Sequence, residues 1–187
     1  RGLGDVYKRQ ILDHTNVSHI TVIDGGYYTA LPTVTLNGGI DGGGTNATAT
    51  AVMVRPSFDE IAKAEIVAKG SGCTNGSYDI PVAGGTTTAT VLVTVVENVV
   101  ASAKIKVFGE GYSSDVDIST LVNTTCGCTG ANVTALKGSR ISQINVAGAG
   151  NLYIGTPTVN INPTGSNPNQ GDGAAIAYLN KTTLSSI

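Results

Sequence analysis

Residues 101–111 read ASAKIKVFGEG, a run of alternating small or apolar and polar positions that ends on two glycines. Successive side chains of a β-strand point to opposite faces, so Ala101, Ala103, Ile105 and Val107 share one face while Ser102, Lys104 and Lys106 share the other. The stretch reads as a half-buried strand, and Gly109 and Gly111 supply the turn or bulge that ends it. Outward from here the same skeleton returns: an apolar residue, a small or apolar residue two on, and glycine four later. The copies are Ile20, Val22 and Gly26; Ile66, Ala68 and Gly72; Ile105, Val107 and Gly111; and Ile144, Val146 and Gly150. Counting from Ile20 to Ile66, Ile105 and Ile144, the spacings are 46, 39 and 39 residues.

Each copy is followed by a second apolar stretch (LPTVTL at 31–36, YDIPVAG at 78–84, DVDIST at 115–120, TPTVNI at 156–161). A third comes next (TNATATAVMV at 45–54, TTTATVLVTV at 86–95, GANVTAL at 130–136, GAAIAYL at 173–179). The expected fold is all-β, in tandem β-repeats of about 40 residues with three short strands each, forming a sandwich or solenoid-like stack of about 10 to 13 strands. One unit alone is too small to bury a stable core, so each is expected to stack on the next. The core is assigned to Ile20, Val22, Val34, Leu36, Ile66, Val91, Val93, Ile105, Val107, Ile144, Val146, Val159 and Ile161. The longer first spacing predicts one short helix near 57–64, where Pro56 breaks the strand, Ser57 is a candidate N-cap and Glu60 its capping-box partner.

Boundaries follow. Residues 1–10, RGLGDVYKRQ, differ in texture from the Thr-, Val- and Gly-rich remainder and resemble adapter-derived translations, so they are set aside as a non-native leader. Residues 11–56 form the first repeat, 57–100 the short helix and second repeat, 101–138 the third, and 139–187 the fourth.

Composition narrows function. Charged residues are 13% and the net charge is −2, so there is no basic patch to neutralise a run of phosphates and nucleic acid is not expected as a partner. No apolar run approaches the roughly 20 residues a spanning helix requires, and no membrane insertion is expected. A phosphate-cradling glycine loop would need a strand-to-helix context that these glycines lack.

The stretches GSGCTNGSYDIPVAGGTTTATVLVTV (70–95), GYYTALPTVTLNGG (26–39) and GTPTVNINPTG (155–165) resemble the glycine-tyrosine and PTVTI-type repeats of tailed-phage tail-fibre and structural proteins and of related repetitive surface proteins. The resemblance covers about residues 17–178. It implies a non-enzymatic fibre or virion role. Cys73 departs from it by standing at the usual tyrosine position, as does TTCGCTGAN in the third unit.

Candidate chemistry is sparse. Cys73, Cys126 and Cys128 make an odd count, read as one internal disulfide from Cys73 to Cys126 or Cys128 with one thiol left to cross-link a neighbour or stay free. Three thiols lack a fourth zinc ligand, and His14 and His19 both sit in the N-terminal segment. Six Asn-x-Ser/Thr sequons, at Asn16, Asn46, Asn75, Asn123, Asn132 and Asn180, are candidates for N-glycosylation. In the NATATA run, alternation turns Ala47, Ala49 and Ala51 inward and Asn46, Thr48 and Thr50 outward. Asp115 with Asp117, and Asp41 with Asp172, are the acidic sets from which a weak calcium site could be drawn. No pair of carboxylates or Ser/His/Asp set is selected for catalysis, Asp13-His14 being a poor triad seed, and neither cofactor nor metal is expected. Tyr27, Tyr28, Tyr112 and Tyr153 are candidate sugar-stacking platforms beside the glycine turns.

The expected function is a non-enzymatic structural subunit of an extracellular filament or fibre, assembling head-to-tail through strand edges and carrying N-glycans. A phage tail-fibre or virion component, or a carbohydrate-binding adhesin module, is the alternative. The expected partners are other copies of the chain and, for the adhesin, surface glycans; the expected location is extracellular or in a virion.

Overall fold

The computed structural model describes residues 15–40 and 43–181. Twelve strands and one helix run through them in order: β1 (Thr15–Asp24), β2 (Thr33–Asn37), β3 (Thr48–Met53), β4 (Glu60–Ser71), β5 (Gly76–Val82), β6 (Ala89–Val96), β7 (Val99–Val107), β8 (Val116–Asp117), α1 (Ser119–Cys126), β9 (Thr129–Gly138), β10 (Ile141–Gly148), β11 (Thr158–Asn162) and β12 (Ala174–Lys181). The protein is therefore mostly β, with one short helix.

Strand pairing is nested. A six-stranded sheet in the order β11-β2-β3-β10-β1-β12 takes the first three strands of the chain and the last three. Two three-stranded sheets, β4-β9-β8 and β5-β6-β7, take every strand from the middle. Two cores follow from this. Val17, Ile20, Leu36, Ala51, Ile141 and Ile144 pack inside the outer sheet, while Ile61, Ile80, Val91, Val93, Val122 and Val133 pack between the inner pair. The segments thus meet as first with fourth and second with third, through reciprocal pairs: β1 with β12 and β10 with β3 outside, β4 with β9 and β7 with β6 inside.

β1, β4, β7 and β10 share a further feature. Each carries two β-bulges, on residues five apart: Ser18 and Ile23, Ala62 and Val67, Ala101 and Lys106, Ser142 and Ala147. A bulge adds one residue and so moves the inward phase by one. In β7, Val100 is fully buried, Ala103 and Ile105 pack on the core, and Ala101 and Val107 lie exposed. The strict alternation expected over 101–107 is corrected accordingly, and Val107 leaves the core. Leu36, Val91, Val93, Ile20 and Ile144 are buried as expected; Val22, Val34, Ile66, Ile105, Val146, Val159 and Ile161 are half-buried against the two cores.

The helix expected near 57–64 does not form. Phe58 takes a left-handed φ of 52°, its N–H closing a turn on the Arg55 carbonyl, and Glu60–Ser71 is a strand paired along β9. The helix-forming residues of EIAKAEIVAK are overridden by burial of Ile61 and by the β9 ladder. Glu60 is buried and bound to Arg140 rather than capping anything. The helix is instead α1, ended by Gly127 in the left-handed conformation at φ 66°.

Candidate functional site

The glycine turns position tyrosines. After β7, a side chain on Gly109 would stand 2.4 Å from the Ala89 nitrogen; after β10, one on Gly150 would stand 2.6 Å from the Ala47 nitrogen. The absence of a Cβ lets each turn lie against its partner strand, and a tyrosine three residues on reaches the same spot. The Ala89 N–H donates to the Tyr112 hydroxyl at 2.8 Å, and the Ala47 N–H donates to Tyr153 at 2.7 Å. Tyr112 in turn donates to the Val82 carbonyl at 2.7 Å. Tyr27 donates to the Lys137 carbonyl and accepts from Asn167, and burial, with Asp115 and Glu65 nearby, pushes its phenol up to about 12. Tyr27, Tyr28, Tyr112 and Tyr153 are all at most 2% exposed, so none is a sugar-stacking platform. They are buried in the fold, and the hydroxyls of Tyr27, Tyr112 and Tyr153 find backbone partners there, so these three act as internal braces.

The cysteines gather in the inner core. Cys73 is bonded to Cys128 across 55 residues of sequence, while Cys126 remains a free thiol, fully buried at the end of α1. Burial raises the Cys126 pKa, which keeps it protonated, and its position closes the route to a cross-link with a neighbour. Asn98 ties the staple down, accepting the Cys73 N–H on its carbonyl at 3.0 Å and donating to the Cys73 carbonyl at 2.9 Å.

The sequons divide by what their amides do. Asn46, Asn132 and Asn180 are exposed, as is Asn75, whose Oδ1 accepts the Asn98 N–H. Asn16 is half-buried. Asn123 spends both ends of its amide on Ala131, donating to the carbonyl at 2.9 Å and accepting the N–H at 3.0 Å. Sequence reasoning missed this role, because the sequon pattern carries no information on where an amide points.

The acidic sets do not converge. Asp115 accepts the Lys137 N–H at 2.7 Å, Asp117 accepts the Ser119 N–H at 2.8 Å, and Asp172 pairs with Lys63 at 2.8 Å. The Ser119 hydroxyl and N–H hold the Asp117 carboxyl below the usual range. Among the described residues no group of three or more His, Cys, Asp or Glu could hold a metal ion. His19 lies exposed on β1; Asp13, His14, Asp41 and residues 1–10 lie outside the described residues.

Among the described residues, two edge strands of the inner half stay open. β5 is an end strand of its sheet, and β8, only two residues long, ends the facing one. Between them lies a recess of about 260 Å³ lined by Pro81, Ala83, Val116, Ile118, Leu121 and Thr124. β11 and β12, the two edges of the outer sheet, approach each other. This defines the class: an all-β protein of two nested sandwich-like or barrel-like halves, the inner one stapled by a disulfide. Set against protein-family models, curated proteins and solved structures, the chain matches none. No helix among the described residues is long and apolar enough to cross a membrane.

Proposed function

We propose that the chain is a non-enzymatic structural subunit of an extracellular filament or fibre, built from four copies of a β unit of about 40 residues and joined head-to-tail through strand edges. The observation that carries the reading is the free edge of β5 beside its apolar recess. An unpaired edge offers a row of N–H and C=O groups to another strand, and Leu121, 39% exposed, together with Ala83 and Val116, offers that strand's side chains an apolar seat. The paired bulges five residues apart in β1, β4, β7 and β10 support the reading as four copies of one unit. The exposed sequons at Asn46, Asn132 and Asn180 suit a secreted, sugar-coated filament. A virion fibre uses the same edges and differs in lacking the glycans.

The test is assembly as a function of concentration, followed by light scattering and negative-stain electron microscopy. Fibres are expected above a threshold concentration, and the double variant Ala83→Lys, Leu121→Lys is expected to stay monomeric with an unchanged circular-dichroism spectrum. A chain that stays monomeric at every concentration, or a double variant that assembles like the parent, overturns the reading.

A further inference from the structure

All three cysteines meet at one place in the inner core. Cys73 stands just ahead of β5, and Asn98 pins its backbone through both the N–H and the carbonyl. Cys126 closes α1, and Cys128 follows it past the left-handed turn at Gly127, its N–H donating to the Asn123 carbonyl. The disulfide joins Cys73 to Cys128, whose Cα atoms are 4.0 Å apart. Beside it, the Thr74 N–H donates to the Cys126 carbonyl at 2.8 Å. That hydrogen bond involves the peptide that follows Cys73, so standard backbone dimensions place the Cα atoms of Cys73 and Cys126 about 5–6 Å apart, a common separation for a disulfide. Cys73 and Cys126 are fully buried, in the same apolar cluster as Cys128. Cys73 therefore has two partners within reach and is bonded to one of them.

We propose that Cys126 and Cys128 form an internal exchange pair, which passes the bond to Cys73 from one sulfur to the other until Cys128 holds it. In a chain that has closed first on Cys126, the Cys128 thiolate attacks the Cys73 sulfur. The bond from Cys73 to Cys128 forms as the bond from Cys73 to Cys126 breaks, and the departing Cys126 thiolate takes from water the proton that Cys128 gave up. One disulfide and one thiol stand on each side, so no oxidant or reductant is consumed. Burial gives the exchange its direction. Cys128 is 9% exposed and Cys126 0%, so the forward attack starts from the sulfur with access to water, which an ionised thiol needs, and the reverse attack starts from one that is shut off. The product leaves a neutral Cys126 thiol in an apolar seat, where it packs as a small hydrophobe. A chain that closes on the wrong neighbour thus corrects itself without an outside thiol. The exchange belongs to the inner core and is independent of fibre assembly.

The test refolds the full reduced chain in oxidised glutathione, quenches samples in acid at intervals, and maps the disulfides by mass spectrometry. A bond from Cys73 to Cys126 is expected in the early samples. It is expected to give way to the bond from Cys73 to Cys128 at a rate independent of both chain and glutathione concentration. The variant Cys128→Ala, oxidised and mapped in the same way, is expected to hold a disulfide from Cys73 to Cys126, and to unfold at a urea concentration closer to the parent's than Cys73→Ser does. Absence of the species joining Cys73 to Cys126 at every time overturns the proposal. So does its decay at a rate proportional to glutathione, which would make the exchange external, and so does a Cys128→Ala chain with two free thiols.

Discussion

Arg140 donates from Nε to the Glu60 carboxylate at 3.1 Å, and its guanidinium carbon lies 3.4 Å from the centre of the Phe108 ring. Arg140 sits between β9 and β10, where the chain returns to the outer sheet, while Glu60 opens β4 of the inner half. The pair therefore clamps one crossing between the two halves. At the other crossing Arg55 binds Asp59 and Glu110.

The Glu60 side chain is 3% exposed and that of Arg140 30%, so the pair is desolvated on one side only. Glu60→Ala leaves the Arg140 guanidinium without its carboxylate next to an aromatic ring. A loss of about 2 kcal/mol in urea denaturation is expected, below the cost of breaking a fully buried pair. Arg55→Ala, whose partners are more exposed, is expected to cost less than about 1 kcal/mol.

The disulfide closes 55 residues of sequence, which in the chain-entropy model amounts to about 4 kcal/mol. Cys73→Ser is expected to lower stability by about that much, while Cys126→Ala, which removes no cross-link and buries no new polar group, is expected to cost only about 1 kcal/mol. Thiol labelling at neutral pH should find Cys126 unreactive until the chain is unfolded, because the thiol is buried and its pKa raised.

Tyr27 makes stability fall at high pH. Its phenol is raised from 10.0 to about 12 in the folded chain, first by burial. The folded state then holds a proton that the unfolded chain releases, so the contribution is whole below pH 10.0 and is lost as pH rises to about 12. At most about 3 kcal/mol is at stake, and Tyr27→Phe should flatten the fall in a denaturation series across this window.

Expression through a glycosylating secretory route, followed by peptide mass mapping, is expected to find sugar on Asn46, Asn132 and Asn180 ahead of Asn123. Asn123→Ala would leave the Ala131 N–H and C=O unpaired in a half-buried place, at a cost of about 1–3 kcal/mol. Asn132→Gln should be nearly neutral.

Much of the secondary structure was legible because period-2 alternation is local. The Ala47, Ala49, Ala51 face and the Val91, Val93 face needed no knowledge of partners. The glycine turns were equally local, and the disulfide was narrowed to two options by the proximity of Cys126 and Cys128. Pairing of first with fourth and second with third segments was not legible, since four similar segments offer several compatible partners and the choice rests on packing. Val107 was misplaced because nothing in the sequence marks the bulge at Lys106. Glu60 was read as a helix cap because its true partner lies 80 residues away. For the function, the sequence supplied residue types and the structure supplied their facing: it turned four tyrosines inward and left Tyr178 outside.

The nesting of the strands fixes an order of events during synthesis. β1, β2 and β3 emerge first, yet β10, β11 and β12, which complete their sheet, are made only after the whole inner half. Residues 60–138 can close on themselves through β4 with β9 and β6 with β7, and in doing so they bring the ends of β3 and β10 together. The inner half thus acts as an internal clasp, and every delay in its folding prolongs the time for which the apolar faces of β1–β3 stand uncovered. Conditions that keep Cys73 and Cys128 reduced should therefore show first as aggregation of the nascent N-terminal strands, with loss of the finished fold a later effect.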